Sequence, residues 1–198
     1  MLVATMGCAA HCGAAPDLSA EILGAWDLLS SACAEWGPES DTSLAKTLAH
    51  ELRGTLPVIY GGELTTALAM RFKDQINENA KMPAFYAHLP EANHNELCGW
   101  AGAASIAPLS ALFLTDPYAH PRLRQRMELS VRYAAQTATS VRCVASLGIT
   151  PVERVLSLLL LADLVTVYLA VLEATDPGPI EPIVQFKNEL ADRTPGPE

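Results

Sequence analysis

Two polar clusters, Gln75-Ile-Asn-Glu-Asn-Ala-Lys81 and Asn93-His-Asn-Glu96, flank a short apolar run from Met82 to Pro90. Each cluster offers one group suited to proton transfer, Glu78 in the first and His94 in the second. A carboxylate serves as a general base near neutral pH when burial lifts its pKa from about 4.3. An imidazole titrates close to neutrality and can shuttle a proton in either direction. Glu78 has the neutral neighbours Asn77 and Asn79, with Lys81 close enough to pull the other way.

Moving a carbonyl between C1 and C2 of a sugar requires such a pair. One base carries a proton between the two carbons through an enediol, and a second group opens the cyclic sugar by moving its ring proton. Glu78 is either that base or one more solvated glutamate at a helix end. His94 is either the ring-opening group or a capping or surface histidine. Lys187, on a C-terminal amphipathic segment, either steadies a phosphate or developing oxyanion or is simply solvated. His11, His50, His88 and His120 lack a comparable polar setting and are read as structural, and Arg122, Arg124, Arg126 and Arg132 as helix surface.

The elements that must position these residues alternate. The apolar runs 56–60, 83–89, 111–114 and 140–147 predict strands, and helical patterns separate them, clearest over 121–137. This is the signature of an α/β fold, a parallel sheet with helices on both faces. A helix from Glu63 to Asn77 carries Leu64, Leu68, Phe72 and Ile76 on one face. Thr42 or Ser43 caps the helix before the first strand, and Gly54 closes it. Gly61-Gly62 could cradle a phosphate at a helix N-terminus, but Glu63 would repel an anion. The pair is read as a tight turn needing close backbone approach or positive φ. Pro151 opens a long apolar helix, Asp176-Pro-Gly-Pro179 breaks the chain, and a last helix covers about 181–190. Upstream, 4–13 and 18–36 read as two helices, the second capped by Asp17 or Ser19. The chain divides into an N-terminal helical appendage and linker (1–41), one domain (42–192), and a disordered tail (193–198).

Glu78 ends a helix that returns to the amino end of the sheet, whereas His94 follows the next strand at the carboxyl end. A strand of about six residues spans roughly 20 Å, too far for two groups acting on one substrate. A symmetric dimer removes the difficulty, each site taking its glutamate from one subunit and its histidine from the other.

Composition narrows the class. The chain has 198 residues, 50% of them hydrophobic and 18% charged, and a net charge of −9. That is a globular composition, and its sign disfavours nucleic acid as a partner. The five cysteines form no Cys-x-x-Cys pair, which points to reduced thiols in the cytoplasm. Cys8, His11 and Cys12 suggest a metal less than they suggest small core residues, so no cofactor is expected. The run Val155 to Leu172 is nearly long enough to span a bilayer, but Asp163, Ser157 and Thr166 mark it as a core or interface helix rather than a membrane span.

Several stretches resemble the bifunctional phosphoglucose/phosphomannose isomerase family. They are Leu56 to Gly62, Gln75 to Lys81, Pro90 to Glu96, Leu158 to Ala170, and Asp176 to Lys187. Family members have two sugar-isomerase (SIS) domains, each a five-stranded parallel sheet between helices, and the likeness from Ala45 to Leu190 is to the second. The resemblance implies that Glu78 transfers the C1/C2 proton, that His94 opens the ring from the partner subunit of a homodimer, and that Lys187 reaches the active site. It implies glucose 6-phosphate and mannose 6-phosphate as substrates, interconverted with fructose 6-phosphate without a metal. The first SIS domain, with its Ser/Thr-rich phosphate loops, has no counterpart in these residues. Residues 1–36 resemble its last helix and the connection that follows, without the arginine that members place before that helix. Gly178 stands where members often have threonine, a position that bears on the use of mannose 6-phosphate. A non-catalytic SIS module that binds a sugar phosphate and regulates or scaffolds is the alternative.

Overall fold

The computed structural model describes residues 2–193. Residues 194–198, most of the stretch expected to be disordered, lie outside them. Four parallel strands form one sheet in the order β2-β1-β3-β4: β1 (Leu56–Gly62), β2 (Phe85–Leu89), β3 (Leu109–Thr115) and β4 (Ser140–Ala145). Val58 stands opposite Phe85, Leu56 opposite Leu109, and Ser110 opposite Ser140. All four runs read as strands from the sequence are strands. The fifth strand implied by the resemblance does not occur among the described residues, so β4 forms one edge and β2 the other.

Helices cover both faces, and strand alternation sorts the residues between them. Ile59, Leu112 and Leu114 point into a core closed by α3 (Trp26–Trp36), α4 (Leu44–Leu52), α5 (Thr66–Asn79) and α8 (Pro151–Leu172). Tyr60, Ala111 and Phe113 point the other way, under α6 (Glu96–Trp100) and α7 (Pro121–Ala134). Phe72 and Ile76, from the predicted stripe of α5, are among the most deeply buried side chains.

Local chemistry sets the helix starts. The Ser43 hydroxyl accepts from Lys46 N–H at 3.2 Å and caps α4, and Gly54 takes φ +69° just beyond its end. Pro151 occupies the first turn of α8. There Thr150 and Glu153 form a capping box, and the backbone N–H groups of Thr150 and Ile149 hold the Glu153 carboxyl below the usual range. By length and composition α8 could cross a membrane. Here it packs against α3, α4 and α5, with Leu161, Val165 and Leu169 fully buried.

The N-terminal region departs from expectation. The stretch read as one helix over 18–36 is two, α2 (Ser19–Gly24) and α3, with the break after Gly24, a poor helix former. Neither Asp17 nor Ser19 caps α2: the cap position is Leu18, without a side-chain cap, and Asp17 accepts from Ser19 N–H at 2.9 Å. Nor is α3 a loose appendage. Trp36 is buried, and its carbonyl accepts from Ser43 Oγ at 2.7 Å and from Tyr168 Oη at 3.0 Å. Trp36→Ala is expected to cost about 3–5 kcal/mol of stability, read from urea unfolding. By contrast α1 (Leu2–His11) buries nothing, and Cys8 and Cys12 are exposed instead of forming small core contacts. Among the described residues no cluster of His, Cys, Asp and Glu could hold a metal.

Candidate active site

The helix of the first polar cluster runs two residues further than its pattern suggested. Glu78 therefore lies in the last turn of α5 instead of after it. Its polar neighbours are each committed to other parts of the fold. Gln75 Nε2 donates to Asp163 Oδ1 on α8. Asn77 Nδ2 donates to the Met82 carbonyl at 2.7 Å, and Asn79 Nδ2 to Thr166 Oγ1 of α8 at 2.9 Å. Lys81 donates to the carbonyls of Glu78 and, at 2.6 Å, of Pro179. The lysine that might have paired with the carboxylate is thus engaged with backbone instead. Among the described residues the Glu78 carboxylate has no hydrogen-bond or ionic partner, and the side chain is exposed.

The second cluster repeats this pattern. His94 ends a short 3₁₀ turn, Glu91–His94, after β2. Asn93 Nδ2 donates to Ser130 Oγ of α7 at 2.7 Å, while Arg126 Nη1 reaches Asn93 Oδ1 at 3.5 Å. Arg126 is therefore more than helix surface. Asn95 Nδ2 donates to Glu91 Oε1 at 3.4 Å. Glu96 Oε2 accepts from Tyr60 Oη at 3.1 Å, and Tyr60 in turn accepts from Trp100 Nε1 at 3.0 Å. Burial first, and then the Glu96 charge, raise the Tyr60 pKa, so its hydroxyl remains a donor across the working range. The Tyr60 ring stacks on Phe113 with centroids 4.6 Å apart. His94 is exposed and, among the described residues, without a partner. Two anchored loops thus each present one uncommitted titratable side chain.

The structure does not bring the two side chains together within one chain. Glu78 precedes β2 at its amino end and His94 follows it at its carboxyl end. The five residues of β2 rise about 16 Å, whereas acid/base partners work at about 3 Å from a shared substrate. Lys187 lies on α9 (Glu181–Ala191), a helix with no buried residue. The Lys81–Pro179 hydrogen bond brings the start of that helix to the end of α5, the end that carries Glu78.

Gly61 and Gly62 lie inside β1 and neither has positive φ. The left-handed residue is Glu63, with φ +48°. Close approach accounts for Gly61, where a Cβ would sit 2.3 Å from the Thr65 carbonyl oxygen. Thr65 also closes the corner. Its hydroxyl accepts from Gly62 N–H at 2.9 Å and donates to the carbonyls of Gly62 and Leu114. A phosphate finds no free N–H at Gly62. His120 does have a structural task, its Nδ1 accepting from Arg122 N–H at the start of α7.

Two features carried no local sequence signal. Asp116, after β3, forms a buried ion pair with Arg154 of α8, Nε to Oδ1 3.2 Å but out of line for a hydrogen bond. The Arg154 guanidinium lies 4.4 Å from the Tyr118 ring centre. Asp116 also borders a mostly apolar cavity of about 740 Å³ between α7 and β4, with Arg124 and Arg132 on its walls. The pairing of residues 38 positions apart, and the gap beside an edge strand, both arise from the tertiary arrangement alone.

Residues 41–190 match the family model described as the bacterial phospho-glucose isomerase C-terminal SIS domain. The bifunctional phosphoglucose/phosphomannose isomerase of Aquifex aeolicus is 35% identical over 152 residues, 77% of this chain and 48% of that protein. Its counterpart in Caldicellulosiruptor bescii is 36% identical over 169 residues, 83% of this chain and 50% of that protein. The chain spans about half the length of these curated relatives. In fold it is similar to the crystal structure of a glucose-6-phosphate isomerase like protein from Thermus thermophilus, with a TM-score of 0.69 and 24% identity over 86% of this chain and 56% of that one.

Proposed function

Because the chain belongs to the family of bacterial phosphoglucose isomerase C-terminal SIS domains, we propose that it interconverts hexose 6-phosphates, or is the catalytic second half of an assembly that does. One observation carries this reading. In two clusters crowded with polar side chains, those around Glu78 and His94 are bonded to the fold, and these two stand uncommitted. The anchored backbone fixes where the free carboxylate and the free imidazole start, and leaves both side chains open to a ligand.

The chemistry then follows. His94 moves the ring proton of the cyclic sugar phosphate and so opens it. The Glu78 carboxylate takes the proton from C2 of the aldose as the carbonyl becomes an enediol, then returns it to C1 to give the ketose. Lys187 neutralises the oxyanion that develops between them. The exposure of Glu78 in the single chain supports a site completed from outside it, because burial by a second surface would lift the carboxyl toward the working pH. A homodimer that lends His94 across its interface supplies one such surface. A first SIS domain supplies another, together with the phosphate loops that the closed Gly62–Thr65 corner does not offer. Glucose 6-phosphate is the proposed substrate, with mannose 6-phosphate beside it, in the cytoplasm, where five unpaired thiols persist.

The closed corner favours the non-catalytic alternative for this chain in isolation, and one assay separates the two. Conversion of fructose 6-phosphate to glucose 6-phosphate is followed with a coupled dehydrogenase in D2O. An isomerase working through an enediol yields product partly deuterated at C2, whereas a binding module gives fructose 6-phosphate affinity without turnover.

A further inference from the structure

Lys81 is unusual in its backbone. It follows Ala80, the cap of α5, and its φ is +56°, in the left-handed region. Glycine fills that place after a helix without steric cost. A lysine accepts strain there, and its side chain shows what is gained. Nζ donates to the Glu78 carbonyl, one of the open carbonyls at the end of α5, and to the Pro179 carbonyl at 2.6 Å, 98 residues further along. The charge also faces the negative pole of the helix. Among the described residues no other hydrogen bond or ion pair ties residues 176–193 to the rest of the chain. The remaining bonds of this segment are internal, such as Gly178 N–H to Asp176 and Gln185 to Glu189.

We propose that Lys81 is a positioning residue. It clasps the start of α9 onto the end of α5, and so holds the helix that carries Lys187 against the turn that carries Glu78. The importance of those two side chains rests on the isomerase reading above, but the clasp itself does not. Lysine suits the task because a compact ammonium offers three donors, no acceptor and free rotation toward two carbonyls. Engaged in this way, it does not compete for the proton that Glu78 carries.

Lys81→Gly in the full chain tests this, because glycine removes the side chain and relieves the backbone at the same time. The thermal midpoint should stay level or rise. Amide hydrogen exchange across 176–191 should quicken by about tenfold or more while α5 and α8 keep their protection. With fructose 6-phosphate, kcat should fall on the order of 10- to 100-fold with a smaller change in KM, and Lys81→Arg should recover part of both effects. Equal exchange in Lys81→Gly and wild type overturns the clasp. Faster exchange with unchanged kcat overturns the positioning role. A wild-type chain with no turnover, both alone and with a first SIS domain supplied, overturns the isomerase reading and the positioning role with it, and the exchange result still decides the clasp.

Discussion

Replacing Glu78 with glutamine is expected to slow the conversion of fructose 6-phosphate to glucose 6-phosphate by about 10²- to 10⁴-fold, the usual contribution of a positioned general base. Glutamine keeps the size and hydrogen-bonding reach of the side chain but cannot accept the substrate proton. KM should change little, because a base that acts on C1 and C2 need not hold the phosphate. The control is stability. Glu78 is exposed and, among the described residues, bonds to nothing, so the substitution should leave unfolding within about 0.5 kcal/mol of wild type. Asn79→Ala makes the contrast. It removes the bond to Thr166 that fixes the turn on α8, and should cost about 1 kcal/mol along with activity. A Glu78→Gln protein with wild-type turnover would reduce Glu78 to the solvated glutamate that its exposure alone would suggest.

The residue types carried a good deal of this. Apolar runs reveal all four strands: β1 and β3, buried on both faces, leave continuous marks, and the edge strands β2 and β4 still carry short runs bounded by turns. The prolines and glycines at 54, 151 and 177–179 punctuate the chain where the structure turns. The partners were not visible. Nothing near Asn79 indicates that it bonds Thr166, or near Asn93 that Ser130 awaits it, because these pairs meet only after helices dock. The same holds for Tyr60, Glu96 and Trp100, and for Asp116 with Arg154. Gly61 and Gly62 were read as a tight turn needing close approach or positive φ, and only the close approach at Gly61 holds, because both lie in the strand. Their setting inside β1, with Thr65 filling the corner, depends on a neighbouring strand's carbonyl at Leu114. Trp36 looked like part of an appendage because its burial is supplied by α4 and α8, elsewhere in the sequence. Local pattern fixes which face of an element is buried, but not which distant element buries it.

Two inactive proteins, Glu78→Gln and His94→Asn, are expected to recover activity when unfolded together and refolded as a mixture. If each site draws Glu78 from one subunit and His94 from the other, a mixed dimer holds one site with both substitutions and one with neither. Random pairing makes half of the dimers mixed, so the mixture should reach about a quarter of wild-type activity. His94→Asn alone should lose less than Glu78→Gln, on the order of 10²-fold, because part of the sugar opens without help. That background is well below the expected recovery. The amino and carboxyl ends of β2 give the test its force, since they separate the two side chains within one chain by a strand of about 16 Å. Mixed dimers seen by native mass spectrometry without recovered activity would mean that both groups serve one site from one chain. A wild-type chain fully active as a monomer would lead to the same conclusion. Full recovery of the wild-type rate is also excluded, because the second site of every mixed dimer carries both lesions.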